Sequence, residues 1–190
     1  MDTKPLFSDR LFQGLYSKIN EHFKDKIQLR NIRKDKNLTL GGATLFSIGL
    51  EKQGIENAVI GINPHGKPYI LGGNVFFNIS HSGDISVCAF GDSEIGVDIE
   101  EKKRPIPKRV KEKYRIDDIK EWTRKEAFSK CVGTGYVTEI FMTDLSDERI
   151  VFSGKKYFLK SFDLGDYFLS VCTENCLPPD TITEFKGEEI

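Results

Sequence analysis

The sequence predicts an α+β fold, because helical periodicity in the first third gives way to short strand-like runs. A first helix is indicated by apolar residues at every fourth position, which would form one stripe: Leu11, Leu15, Ile19 and Phe23. A second helix is expected from about residue 38 to residue 50. From Ala58 onwards, apolar or alternating runs separated by turn residues predict strands within residues 58–62, 69–71, 74–80, 85–90 and 95–100.

The remainder of the chain predicts one strong helix and three more strands. Residues 101–113 are charged and contain two prolines, so we expect them to connect two halves of the molecule. A helix follows from about Asp117 to Val132, and Gly133 is suited to end it. Strands are then expected around residues 150–152, 157–162 and 167–172.

A weak internal similarity bears on the domain organisation. Segment 82–89 (SGDISVCA) resembles segment 165–173 (GDYFLSVCT), which has two extra residues after Gly-Asp. Chance similarity between two hairpins would explain this equally well. If the repeat is genuine, it implies two related α+β halves, residues 1–102 and 103–190, with any shared site in the cleft between them.

The charge balance narrows the classes of partner. The 28 lysines and arginines are matched by 29 aspartates and glutamates, which gives a formal net charge of −1. This balance argues against a protein that binds duplex DNA through bulk charge and against a polybasic membrane anchor. Because no run of roughly 18 apolar residues and no signal-peptide pattern occurs, we expect a cytoplasmic chain with reduced, buried cysteines.

The run IGVDIE, residues 95–100, places two acids on one face of a strand. Alternate residues of a strand share a face, so Asp98 and Glu100 lie on the same side as Gly96, about 7 Å from each other along the strand. Two such carboxylates can converge on one hard cation, and the glycine leaves room for another group to approach. The alternative is an amphipathic edge strand whose acids face water.

The helix around Trp122 carries an acid and a base on an inward face. At ~100° per residue, Glu126 and Lys130 fall within about 20° of Ile119. An exposed ion pair one turn apart is the simple explanation. Because the opposite side of the helix is also apolar, both charges need partners, and a metal ion for Glu126 with a phosphate for Lys130 would be suitable.

Three further features indicate phosphate binding. Ser80 and His81 lie where a strand ends in small polar residues, which can form a phosphate cradle; nucleophilic catalysis by Ser80 or Ser82 is disfavoured. Lys67 lies in a constrained Gly-Lys-Pro turn, where its cation could meet another phosphate. Six basic residues lie within segment 24–36. They form either a solvated surface or a local binding site for an anion.

Four short motifs occur in order along the middle of the chain: GKP at 66–68, FNISHS at 77–82, IGVDIE at 95–100 and WTRKEAFSK at 122–130. In this order and spacing they resemble the signatures of the 4′-phosphopantetheinyl transferase superfamily, in its surfactin-type single-chain branch. The Lys-Glu-Ala form of the last motif resembles one subgroup of that branch. The resemblance implies the family fold, a pseudo-twofold pair of α+β halves with the active site in the cleft between them.

The resemblance also implies an activity and residue roles. The activity is transfer of the 4′-phosphopantetheine arm of coenzyme A to a serine of an apo acyl or peptidyl carrier protein, which makes the chain a holo-carrier-protein synthase. By motif position, Asp98, Glu100 and Glu126 would bind Mg²⁺. Catalysis would fall to Asp98, Glu126 and Lys130, with Glu126 as our hypothesis for the general base. Coenzyme A would be contacted by Lys67, Ser80, His81 and Lys130.

The basic segment departs from the family pattern. Family members often carry an arginine just before a threonine and a leucine at a helix start, and here Leu38 precedes Thr39. Lys26 and Thr39 are the residues that we assign to coenzyme A in this segment. Arg30 and Arg33 are alternatives for binding its 3′-phosphate.

Two other functions stay open on the sequence alone. A metal-dependent phosphohydrolase would use the same acids, lysines and phosphate cradle, and an inactive paralogue would bind coenzyme A or a carrier protein without catalysis. The basic stretch 102–113 is either a docking surface for an acidic carrier or a solvated linker. The expected partners are coenzyme A and an apo carrier protein, without nucleic acid or membrane, and the resemblance implies a monomer.

Overall fold

Helices and strands mix along the chain as the α+β prediction requires. The computed structural model describes residues 1–135 and 137–186. The first part contains a short 3-10 helix (Lys4–Phe7), α1 (Asp9–Tyr16), α2 (Glu21–Gln28), α3 (Arg33–Lys52), β1 (Ile60–Ile62), β2 (Pro68–Ile70), β3 (Phe76–Ser82), β4 (Ile85–Gly91) and β5 (Ile95–Glu101). The second contains α4 (Lys108–Tyr114), α5 (Ile119–Val132), α6 (Thr138–Met142), β6 (Arg149–Phe152), β7 (Lys155–Asp163) and β8 (Tyr167–Glu174). The predicted fold class is confirmed.

The strands form two hairpins and one larger sheet. β1 pairs with β2, β3 pairs with β4, and an antiparallel sheet has the order β5-β8-β7-β6. β5, which the predicted boundary places in the first half, therefore lies in a sheet with three strands of the second. The boundary at residues 102 and 103 and the pseudo-twofold relation stay predictions.

The two similar segments both form hairpin turns. One joins β3 to β4 and the other joins β7 to β8, and each turn contains a glycine in the left-handed region, Gly83 with φ 59° and Gly165 with φ 74°. The turns also touch, because the Asp84 backbone N–H donates to Tyr167 Oη over 3.4 Å. The similarity thus corresponds to the same local structure in two places that meet.

The apolar stripe in the first third belongs to two helices, so the prediction of a single helix is wrong. Asn20 breaks it by capping α2, where its side chain accepts a hydrogen bond from the His22 N–H. The same side chain donates to the Ala58 carbonyl oxygen and ties the break to the start of the strand region. Leu15, Ile19 and Phe23 are buried, as the stripe predicts.

Later segments also differ from expectation. Residues 101–113 are more than a connection, because α4 forms within them and buries Tyr114. All four cysteines are free thiols. The prediction of burial is confirmed for Cys131 and Cys172, while Cys88 is partly buried and Cys176 is exposed. Within the described residues, none of the helices has the length and apolar character needed to cross a membrane.

A glycine lets α5 pack directly on β5. A Cβ atom at Gly96 would lie 2.1 Å from the Ala127 carbonyl oxygen and 2.3 Å from the Cys131 nitrogen, both of them backbone atoms of α5. The facing surface of α5 is fully buried at Ala127, Phe128 and Cys131. The glycine therefore fixes how closely the helix approaches the strand that carries both predicted acids.

Gly96→Ala is expected to lower the free energy of unfolding by about 1–3 kcal/mol or more, because a helix backbone cannot move aside as a flexible side chain would. Gly14→Ala is the matched control. Its Cβ would meet nothing within 4 Å inside α1, so it should stabilise by about 0.5–1 kcal/mol. Urea titrations of both variants measure the difference. Equal stability of Gly96→Ala and the parent would contradict the close packing.

Candidate active site

β3 and β5 run side by side and meet through side chains. Polar side chains of β3 accept hydrogen bonds from backbone N–H groups of β5, at matching steps along both strands: Asn78 from Val97, Ser80 from Ile99 and Ser82 from Glu101. All three polar residues are buried. Since both series of residue numbers rise together, the two strands are parallel here. We refer to this contact as the β3–β5 seam.

The same hydroxyls orient both acids of β5. Ser80 Oγ donates to Asp98 Oδ1 over 2.8 Å, and Ser82 Oγ donates to Glu100 Oε2 over 2.6 Å. Asp98 is 4% exposed and Glu100 5% exposed, so the alternative of acids facing water on an edge strand is wrong. The seam thus holds two carboxylates in a largely buried position on the predicted face of β5.

α5 brings a lysine to these carboxylates and carries the third predicted acid. Lys130 Nζ lies 2.6 Å from Asp98 Oδ1 and also donates to Ser80 Oγ over 3.0 Å. Glu126, one turn earlier on α5, is buried as well. The predicted inward face of α5 is confirmed, and Lys130 forms an ion pair with Asp98 of β5.

Burial governs the ionisation of Asp98. Removal from water raises the pKa of Asp98, and the nearby Lys130 cation and the hydrogen bonds from Lys130 and Ser80 offset part of that increase. Asp98 Oδ2 is buried and has no hydrogen-bond partner among residues 1–135 and 137–186. A buried carboxylate oxygen without a partner is costly, and a divalent cation would satisfy it.

Two residues that the sequence did not single out contact Glu100. Arg104 Nη1 and Trp122 Nε1 both donate to Glu100 Oε1, the indole over 3.4 Å. The sequence places Trp122 in the motif at 122–130 and Arg104 in the basic stretch 102–113, without a role for either side chain. Neither contact leaves a local signal in the sequence, because the partners are brought together by the turn after β5 and by the packing of α5.

The acids suit a hard cation by chemistry but not by their present spacing. Carboxylate oxygens are the ligands that Mg²⁺ takes from proteins, and Asp98 Oδ2 is available. Across residues 1–135 and 137–186, however, no three carboxylate, histidine or cysteine side chains are gathered closely enough to hold a metal ion as they stand. The contact of Arg104 with Glu100 provides a physical reason, since it directs that carboxylate to a cation of the chain itself.

Lys67 lies beside the end of α5 rather than free in its turn. Its Nζ pairs with Glu94 Oε2 at 2.5 Å and donates to the backbone carbonyl oxygens of Ile95 and Cys131. Asn63 shapes the turn, since its side chain accepts from the Lys67 N–H and donates to the Gly133 carbonyl oxygen. The lysine thus joins the β1–β2 hairpin to α5, and its contact with coenzyme A stays a prediction.

His81 ends the row of motif residues on β3 and is near two cations. Partial burial lowers the pKa of His81 most, and the positive charges of Lys130 and Arg30 lower it further. Arg30 is therefore a member of the basic segment whose charge acts on His81. Such a convergence of cations is suited to a phosphate group.

The other basic-segment candidates have structural partners. Arg33 donates to the Leu6 carbonyl oxygen and stacks on the Phe12 ring at 4.3 Å. Lys26 lies over the Phe23 ring at 5.8 Å, and burial, with a smaller contribution from Arg30, lowers its pKa. Thr39 Oγ1 donates to the Asp35 carbonyl oxygen within α3. Coenzyme A contacts of Lys26 and Thr39 stay predictions.

Asp98→Asn is expected to raise the midpoint of thermal unfolding in the presence of a chelator. A carboxyl whose pKa is raised by folding contributes its full stability below its unfolded pKa of about 3.9 and loses it as the pH rises through the folded pKa. An amide carries no such penalty. The gain should therefore be larger at about pH 8 than at about pH 4, and thermal unfolding at both values measures it.

Asp147→Asn makes the same change at an exposed position and should leave the midpoint unchanged. A lower midpoint for Asp98→Asn at both pH values would show that the ion pair with Lys130 outweighs the cost of burial.

Comparisons with known proteins come from individual relatives. No family model matches the chain. A 4′-phosphopantetheinyl transferase of Bacillus subtilis is 30% identical over 171 residues, covering 74% of this chain and 75% of the relative. The 4′-phosphopantetheinyl transferase Sfp of Bacillus subtilis (strain 168) is 30% identical over 151 residues, covering 66% of this chain and 67% of the relative.

A third relative extends the same pattern. The 4′-phosphopantetheinyl transferase psf-1 of Bacillus pumilus is 32% identical over 114 residues, covering 50% of this chain and 48% of the relative. The Lys-Glu-Ala subgroup stays a prediction. The extent of the similarity, together with the motifs that lie on β3, β5 and α5, shows that the chain belongs to the Sfp-type 4′-phosphopantetheinyl transferase family.

Proposed function

We propose that the chain transfers 4′-phosphopantetheine from coenzyme A to a serine of an apo acyl or peptidyl carrier protein, with Mg²⁺, and releases adenosine 3′,5′-bisphosphate. The observation that carries the proposal is the contact between α5 and β5, which sets Lys130 2.6 Å from the buried Asp98. The names of the relatives support the transferase reaction. We further expect the enzyme to act as a cytoplasmic monomer.

Asp98, Glu100 and Glu126 would hold the metal ion. When bound, Mg²⁺ would neutralise charge that builds on the leaving pyrophosphate oxygen in the transition state. The chain's contribution is to keep these carboxylates oriented before substrate arrives, which Ser80 does for Asp98 and Ser82 for Glu100. Glu126 would join them from α5, where it is 7% exposed.

Lys130 would contact the pyrophosphate oxygens of coenzyme A. Its ammonium group carries three donors on a flexible stem, and two of its present partners, Asp98 and Ser80, lie at the site itself. Its side chain is 28% exposed, so it can reach an incoming anion from the edge of the buried acids. A cation in this place would stabilise negative charge on the transferred group.

The nucleotide end of coenzyme A would lie at His81 and Arg30. Burial lowers the pKa of the His81 imidazole most, and the positive charges of Lys130 and Arg30 lower it further in the free chain. A phosphate between them would reverse that effect and favour the imidazolium. Arg30 is thus our choice within the basic segment for the 3′-phosphate, because Arg33 is held by Leu6 and Phe12.

Glu126 is also our candidate for the base that takes the proton of the carrier serine, directly or through a water molecule. A serine hydroxyl is a weak nucleophile, and a positioned carboxylate is suited to activate it. Both roles require the ionised carboxylate, because a metal ligand and a proton acceptor must each be deprotonated.

Glu126→Gln is expected to reduce phosphopantetheine transfer by about 10²–10⁴-fold at saturating Mg²⁺. The substitution keeps the size of the side chain and removes its charge and its capacity to accept a proton. Mass spectrometry of an apo carrier protein, incubated with coenzyme A and Mg²⁺, measures the gain of one phosphopantetheine. Near-full activity of Glu126→Gln would contradict both roles of Glu126.

Glu139→Gln, at an exposed position on α6, is the matched control and should keep the parental activity. The same assay separates the alternatives. A phosphohydrolase would cleave the pyrophosphate without any carrier protein, and an inactive paralogue would bind coenzyme A or the carrier without a mass gain.

α4 is the proposed docking surface for the carrier protein. Its basic residues are exposed and, with Lys103 and Arg104, continue from the turn that contacts Glu100: Lys108, Arg109, Lys111 and Lys113. A predominantly basic surface, in which Glu112 is the one acid of α4, would steer an acidic carrier towards the site. This attraction would weaken as salt is added. The structure of α4 as a helix supports this over a purely solvated linker.

Charge reversal at Arg109 and Lys113 together is expected to raise the apparent KM for an acidic carrier about tenfold, with kcat changed little. The matched control reverses Arg149 and Lys156, which are exposed on β6 and β7 at the edge of the sheet opposite β5. Steady-state kinetics with varied carrier concentration distinguish the two pairs. An unchanged KM for the α4 pair would remove α4 as the docking surface.

A further inference from the structure

Arg104 occupies an unusual position directly after β5. Its backbone N–H donates to the Glu101 carbonyl oxygen over 2.9 Å, so the chain turns back as it leaves the strand. The guanidinium then reaches Glu100 Oε1. The Glu100 side chain is 7% exposed and that of Arg104 is 55% exposed, so one partner is buried while the other borders solvent.

The charge of Arg104 acts on all three acids of the proposed metal site. Its hydrogen bond with Glu100 raises the pKa of the guanidinium most, and the negative charges of Glu100, Asp98 and Glu126 raise it further. Lys130 compensates Asp98 from the other side. Within the described part of the chain, the buried Oδ2 of Asp98 nevertheless has no hydrogen-bond partner. Lysine and arginine side chains therefore offset the charge of the acids, but one carboxylate oxygen stays unsatisfied.

This arrangement has an electrostatic reason. A buried carboxylate without a counter-ion is strongly unfavourable, and an arginine remains charged at any pH of interest. Arg104 can serve as that counter-ion and can also leave, because its side chain is half exposed. It lies in residues 102–107, which contain neither helix nor strand. Release into water costs little for an exposed cation.

We propose that Arg104 is a resident counter-ion that holds Glu100 in the metal-free protein and competes with Mg²⁺ for Glu100 Oε1. The inference rests on the proposed metal site. Metal entry then requires that the guanidinium leave the carboxylate, and the apparent metal affinity is reduced by the fraction of molecules in which Arg104 holds it. Arg104 acts through Glu100 and is a positioning residue rather than a catalytic one.

The test measures metal binding without turnover. Trp122 is the only tryptophan of the chain, and its Nε1 lies 3.4 Å from Glu100 Oε1, so its fluorescence reports on this carboxylate. Titration with Mn²⁺, which quenches nearby indoles and whose free form is counted by electron paramagnetic resonance, gives the dissociation constant. Arg104→Gln should bind Mn²⁺ about five- to tenfold more tightly than the parent.

Three further variants make the outcomes distinct. Arg104→Lys keeps the charge and should bind as the parent does, and Arg109→Gln makes the same substitution on exposed α4 and should have no effect. In a chelator Arg104→Gln should also unfold at a lower temperature, and Mn²⁺ should restore more stability to it than to the parent. Should Arg104→Gln fail to fold, Arg104→Ala with excess Mn²⁺ present from refolding onwards replaces it.

Equal or weaker Mn²⁺ binding by Arg104→Gln would overturn this inference and leave the metal site in place. If the parent bound no Mn²⁺, or if Asp98→Asn bound Mn²⁺ as tightly as the parent, the proposed metal site itself would be wrong. The proposed competition between Arg104 and the metal would then be wrong as well.

Discussion

Side chains of β3, rather than its backbone, carry the contact with β5, and the site depends on that seam. A serine hydroxyl has one proton and two lone pairs, so Ser80 and Ser82 can accept from the backbone of β5 and donate to its acids at once. A buried N–H left unpaired costs ~1–3 kcal/mol. The same residues therefore keep β5 in the interior and aim Asp98 and Glu100 towards α5.

The positive and negative charges of the whole chain nearly cancel, but at this site they lie on different side chains that face one another. Three buried acids of β5 and α5 are compensated by cations that approach from different parts of the chain, Lys130 from α5 and Arg104 from the turn after β5. The net charge of −1 thus conceals a site in which both signs of charge are concentrated. Binding of a polyanionic substrate together with a cation would exchange these internal ion pairs for external ones with little change in total charge.

Local sequence patterns predict which side chains of β5 and α5 share a face. They do not predict the contacts between residues that are distant in the sequence. The alternation of residues 95–100 places Asp98 and Glu100 on one face, and helical spacing places Glu126 and Lys130 inward, because both depend only on backbone geometry. The break at Asn20 and the anchoring of Lys67 to Glu94 depend on tertiary partners that no spacing reveals. The sequence does not predict α4, because Val110 and Tyr114 are its only apolar residues and two prolines and a run of charges precede and surround them.

The central claim is that Asp98, Glu100 and Glu126 form one cation site beside a coenzyme A pyrophosphate held by Lys130. Anomalous diffraction from a crystal grown with coenzyme A and Mn²⁺ tests it most directly. We expect one strong Mn²⁺ peak bounded by the three carboxylates, with Arg104 withdrawn from Glu100 and the 3′-phosphate beside His81 and Arg30. A crystal that contains coenzyme A but shows no peak there, or shows the peak at other residues, would contradict the account.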